Sequence, residues 1–152
     1  MIIMSEKTNN NISTGNAGEY FVAGELERRG FTCAVPMSNT KNFDILVINR
    51  KNNNQYAIQV KTTSFKKKEW TLGKKNEDLF DDNIIYVFVS LNELDNPEYH
   101  IVPSKIVAET ISKSHQDWLN VLGRNGQPHN DNPIRVFSDK DDKYLNNWDC
   151  LK

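Results

Sequence analysis

Four residues near the start of the chain, Glu19, Val22, Ala23 and Leu26, follow the i, i+3, i+4, i+7 spacing of one helix face. Signals at both ends bound this helix. Ser13 or Thr14 can accept hydrogen bonds from its first free amides, and Gly30 can take the left-handed conformation that ends it. The spacing predicts a helix from residue 13 or 14 to about residue 29. Glu19 is its odd member, a carboxylate on a stripe otherwise fit for packing. Beyond Gly30 the period shortens to that of strands. Residues 31–35 read as a strand stopped by Pro36, 43–48 as a second and 56–62 as a third, with the polar stretch 49–55 as a hairpin loop. Residues 66–83 are charged around Trp70, Leu72, Leu79 and Phe80, and a short helix fits there. Residues 84–91 make a strong fourth strand and 98–102 a fifth. Pro103 and Ser104 open a helix to about residue 122, with Ile106, Val107, Ile111, Trp118 and Leu122 as candidate core contacts. From Gly123 the chain is rich in Asn, Asp and Gly, with one apolar run at 134–137.

The second and fourth strands carry apolar residues on both faces. In the second, Ile45 and Val47 point one way, and Leu46 and Ile48 the other. Strands of that kind belong inside a sheet covered on both sides. The element order then implies an α/β fold, a three-layer α/β/α sandwich with a central mixed sheet. A chain of 152 residues fits a single domain. Within it 1–12 read as a frayed start, 14–91 as the core, and 98–152 as a peripheral strand, helix and tail.

Composition narrows the function classes. No apolar run approaches the ~18–20 residues that span a bilayer. Met1-Ile2-Ile3-Met4 is too short for a signal-peptide core, so no membrane and a cytoplasmic location are expected. A net charge of −1 excludes a protein that coats nucleic acid by bulk charge, yet permits a local basic patch. Cys33 and Cys150 match no metal-ligand spacing, nor do His100, His115 and His129. Cys33 reads as a packed strand residue, and residues 139–143 as a solvated turn. A Walker A loop, GxGxxG and GxSxG are all absent from the sequence, which disfavours nucleotide-driven, dinucleotide and α/β-hydrolase chemistry.

The third strand holds the unusual pattern. Side chains alternate along a strand, so Tyr56, Ile58 and Val60 share one face while Gln59 and Lys61 share the other. Asp44 begins the neighbouring strand of the same hairpin, which brings it to the Gln59–Lys61 end. Glu19, from the helix packed on the sheet, can complete the group. Burying such groups costs several kcal/mol each unless they are paired or bind a cation. A buried Asp44–Lys61 ion pair, with Gln59 satisfying a lone pair, is the purely structural alternative.

The pattern Glu19 … Asn42-Phe43-Asp44 … Gln59-Val60-Lys61 resembles the PD-(D/E)XK nuclease superfamily, whose restriction-endonuclease-like core is helix, three strands, helix, strand. The resemblance covers roughly residues 14–91. Phe43 replaces the motif's proline, and Gln59 occupies the slot usually filled by Asp or Glu. Some superfamily nucleases carry glutamine there, a homing-endonuclease-like branch among them. The resemblance implies hydrolysis of DNA phosphodiester bonds with Mg²⁺ or Mn²⁺. Asp44 would be the main metal ligand, with Glu19, the Gln59 amide oxygen and the Val60 carbonyl as the others. Lys61 would orient water or stabilise charge on the phosphate. Asp44, Gln59, Lys61 and Glu19 are thus the candidate catalytic set. Asp44, Glu19 and Lys61 sum to −1, so weak metal affinity is expected without nucleic acid. A site in so small a chain would cut both strands most simply as a homodimer. The alternative is a catalytically inactive nucleic-acid-binding or protein-interaction module on the same fold.

Residues 61–75 hold six lysines against one acid, Glu69, a strong local excess in a chain of net −1. Lys66, Lys67, Lys68, Lys74 and Lys75 are therefore candidate nucleic-acid contacts. Trp70 within this run can stack on a base or anchor the core, and Trp118 reads as helix packing.

Overall fold

The computed structural model describes residues 11–37 and 43–152. Most of the start expected to fray, and Asn42 of the motif, lie outside the described residues. Asn11 and Ile12 already belong to the first helix, α1 (Asn11–Arg28). Gly30, at φ 100°, ends it as its sequence position predicts. The strands are β1 (Phe31–Ala34), β2 (Ile45–Asn49), β3 (Gln55–Thr63), β4 (Glu69–Gly73), β5 (Ile84–Ser90), β6 (Glu98–Pro103) and β7 (Ile134–Ser138), with α2 (Ser104–Leu119) between the last two. Lys74–Glu77 and Trp148–Cys150 form 3-10 turns.

Five strands make one mixed sheet in the order β1-β2-β3-β5-β6. Only β3 and β5 run parallel. The β2–β3 hairpin turns through Asn53, whose positive φ of 62° is a conformation asparagine tolerates. Alternation along β5 sends Ile85, Val87 and Val89 to one core and Tyr86 and Phe88 to the other. The first core packs under α1 through Val22 and Leu26. The second packs under α2 and an antiparallel β4–β7 ribbon, through Trp70, Leu72, Val107, Ile111 and Phe137.

Three expectations need correction. The segment 66–83 carries its short helix as the 3-10 turn Lys74–Glu77, but a strand not expected there, β4, precedes it. The two-faced burial inferred for the second strand fails on one side, where Leu46 is exposed. The α2 and ribbon layer shares its core with Tyr86 and Phe88 of β5 and Val102 of β6, and leaves Leu46 outside it. Residues 98–152 are not peripheral, since β6 completes the sheet and Trp148 and Leu151 lie in the α1-side core. Among the described residues no helix is long and apolar enough to cross a membrane.

Candidate active site

The site forms where β2 stops and β3 continues. Ladder pairing between them reaches Ile45 opposite Ile58, and the Asp44 N–H donates to the Ile58 carbonyl at 2.8 Å. One step on, β3 would have an orphan donor on that side, the Val60 N–H. The Asp44 carboxylate accepts it, Oδ2 at 2.8 Å. Asp44 therefore caps a truncated ladder and stands opposite Gln59. The N–H and C=O of one strand residue face the same side, so the Val60 carbonyl also faces this open edge.

Gln59 and Lys61 project from the face of β3 that Tyr86 and Phe88, their register partners on β5, share. Gln59 is buried, and no hydrogen bond to its amide is found among the described residues. Lys61 is half-buried and forms no ion pair among them. The alternative of a buried Asp44–Lys61 pair is thus not what the structure contains. Burial holds the Lys61 ammonium below the ordinary lysine range; the Asp44 charge opposes this and the Lys75 charge reinforces it.

Glu19 arrives from the other layer. Gly18 of α1 packs so closely on β3 that a Cβ there would stand 1.8 Å from Thr62 Oγ1. The next residue, Glu19, lies within reach of the Asp44 charge. Burial first, and the Asp44 charge second, push the Glu19 carboxyl above its usual value.

The basic run divides. Lys66 pairs with Asp95 at 2.7 Å and Lys68 with Asp142. Lys67, Lys74 and Lys75 are exposed and form no ion pair among the described residues. Trp70 is a core residue whose indole N–H donates to the Val89 carbonyl at 2.9 Å, so it is not a base-stacking platform. Trp118 packs between the rings of His115 and His129. Two residues escaped sequence reasoning, Asn76 and Tyr86. Asn76 Nδ2 donates to the Tyr86 hydroxyl at 2.8 Å. One sat in a charged run and the other in an apolar strand, and neither setting signals a partner.

Among the described residues no three His, Cys, Asp or Glu side chains cluster as a metal site. The available donors are two carboxylates, an amide oxygen and a backbone carbonyl. Such hard oxygens fit Mg²⁺ or Mn²⁺, which commonly take one or two protein carboxylates and complete their shell with water and phosphate.

No protein-family model matches the chain, and no curated protein does. Solved structures do. A bacterial homing endonuclease, I-Ssp6803I, superposes with a TM-score of 0.54 over 91% of this chain and 88% of its own, at 10% identity. The chain has the restriction-endonuclease-like fold. The Holliday junction resolvase Hjc of Archaeoglobus fulgidus, an archaeal hyperthermophile, also matches, with a TM-score of 0.48, 14% identity and coverage of 82% and 84%. Within this restriction-endonuclease-like core, β4 and a 3-10 turn stand where a helix separates the third and fourth core strands, and α2 supplies the second helical layer.

Proposed function

We propose that this chain is a metal-dependent nuclease that hydrolyses DNA phosphodiester bonds. One observation carries the proposal: Asp44 faces Gln59 across the hairpin, beside a partly buried Lys61 that forms no ion pair among the described residues. A cation kept under a desolvation penalty without a partner marks a functional position. Asp44, Glu19, the Gln59 amide oxygen and the Val60 carbonyl would hold Mg²⁺ or Mn²⁺, which when bound polarises a phosphate and lowers the pKa of its water. Lys61 would orient the attacking water or offset charge developing on the phosphate. Asp44 is held in place by the Val60 amide, so its carboxylate is oriented before substrate arrives. The fold of a homing endonuclease and the basic run 61–75 support a nucleic-acid substrate. Cleavage of both strands would be the work of a homodimer.

The test is cleavage of supercoiled plasmid and four-way-junction DNA with Mg²⁺ and with Mn²⁺, beside Asp44→Ala and Lys61→Ala. Both substitutions are expected to reduce cleavage at least about 100-fold. Activity that survives both removes the mechanism. Gln59 favours a second reading, a binding module without catalysis, and tight DNA binding with no cleavage in either metal selects it.

A further inference from the structure

We propose that Lys75 is a second phosphate-binding cation of this site, held over it by a buried anchor formed by Asn76 and Tyr86. The inference rests on the nuclease reading for its substrate class, a nucleic-acid backbone, and deepens it.

The geometry begins with the 3-10 turn Lys74–Glu77 that leads from β4 toward β5. Asn76 is its buried residue, 2% exposed. The Asn76 Oδ1 accepts the Gly73 N–H at 3.0 Å, and its Nδ2 donates to the Tyr86 hydroxyl at 2.8 Å. Tyr86 is wholly buried and is the β5 register partner of Gln59. The turn is therefore pinned above the β3 position that faces Asp44. Moving it would strand two buried polar groups, the Asn76 amide and the Tyr86 hydroxyl.

Lys75 precedes this anchor, is exposed and makes no ion pair among the described residues. The Asn76–Tyr86 contact puts the turn that carries Lys75 on the face of the sheet from which Gln59 and Lys61 project. A phosphodiester at the site would supply the anion with which Lys75 pairs. Lys66 and Lys68 differ, because they are already paired with Asp95 and Asp142. Of the lysines with no ion pair among the described residues, Lys75 is the one that directly precedes the anchor residue Asn76. With Lys75 counted, two carboxylates and two lysines leave the site neutral. A glutamine at position 59 gives up metal affinity, and a second lysine recovers hold on the substrate phosphate directly.

The experiment uses the full chain and fluorescently labelled duplex and four-way-junction DNA. Anisotropy in Ca²⁺ gives Kd across a salt series, and Mn²⁺ gives cleavage. Lys75 is exposed, so Lys75→Met leaves the fold intact. It is expected to raise Kd about tenfold and to lower the slope of log K against log salt by about 0.9, as one lost phosphate contact does. Lys75→Arg should restore both. Asn76→Ala should weaken binding by itself yet add nothing in the Lys75→Met background, because it acts only through Lys75. Lys51→Met, an exposed lysine in the β2–β3 hairpin loop outside the basic run, is the control. A Kd and salt slope unchanged by Lys75→Met, or an equal loss from Lys51→Met, overturns the proposal. Wild-type protein that binds DNA without cutting it sinks the nuclease reading alone, and the Kd series still decides Lys75. Wild-type protein that neither binds nor cuts overturns both.

Discussion

In the proposed nuclease Asp44 would carry a structural and a chemical duty with separate oxygens. Oδ2 closes the β3 ladder by taking the Val60 amide, and no hydrogen bond to Oδ1 is found among the described residues. Lys61 has no structural duty of that kind, and the two residues should part company in stability experiments. Its pKa is lowered in the fold, chiefly by burial, so the charged form costs stability while both folded and unfolded chains are protonated. Lys61→Met is accordingly expected to leave Tm unchanged or raised at neutral pH. The difference should fade as pH rises through the lowered folded value toward the ordinary lysine value of 10.5. Thermal melts in chelator across that range check it, and a marked loss of Tm at pH 7 would restore a structural role. Gln59 makes the complementary case. Gln59→Glu takes Asp44, Glu19, Lys61 and position 59 from −1 to −2, and calorimetric titration should show tighter Mn²⁺ binding without DNA. This much of the site was legible in the sequence, because strand alternation puts Gln59 and Lys61 on one face and the hairpin fixes Asp44 opposite them. The Asn76–Tyr86 contact was not legible, since it joins a turn to a strand through side chains that follow no period.

The α1–β3 contact lies next to the second carboxylate, Glu19. Gly18 meets Thr62 with no room for a methyl group. Gly18→Ala should therefore shift α1 outward and destabilise the fold by about 1–3 kcal/mol. It should also weaken cleavage more than a destabilised but correctly placed site would, which kcat at low temperature, where the protein stays folded, can separate. Sequence reasoning marked the helix stripe, Glu19 as odd on it, and the helix packed on the sheet as the element that could bring this carboxylate to the strand residues. In the structure the Glu19 carboxyl feels the Asp44 charge. The β4–β7 ribbon was missed for another reason. Its strands pair across more than sixty residues of chain, as Glu69 opposite Ser138 shows, and no local pattern reveals such a partner. Hydropathy even misleads in β7, where Ile134 and Val136 face outward while Phe137 and Arg135, the latter paired with Glu77, are buried.

At the scale of the whole molecule, the C-terminal third ties the two cores together. His100 is wholly buried, and its Nδ1 lies 2.6 Å from Asp139 Oδ2. The same carboxylate accepts the Lys143 and Tyr144 amides at 2.9 Å each. The segment read as a solvated turn is thus a clip, and Asp139 is buried because three donors converge on it. Asp139→Ala would leave those donors short of an acceptor at a cost of at least about 1–3 kcal/mol. Urea melts should show the loss, with hydrogen exchange rising first at residues 139–148. Beyond the clip, Trp148 and Leu151 pack with Val22, Leu26 and Phe31 in the α1-side core. The Lys152 carbonyl accepts from Tyr56 and Asn54 of the β2–β3 hairpin. During synthesis this half of the protein cannot close until residue 152 has cleared the ribosome, so the nascent chain must wait with its first hydrophobic stripe unsealed.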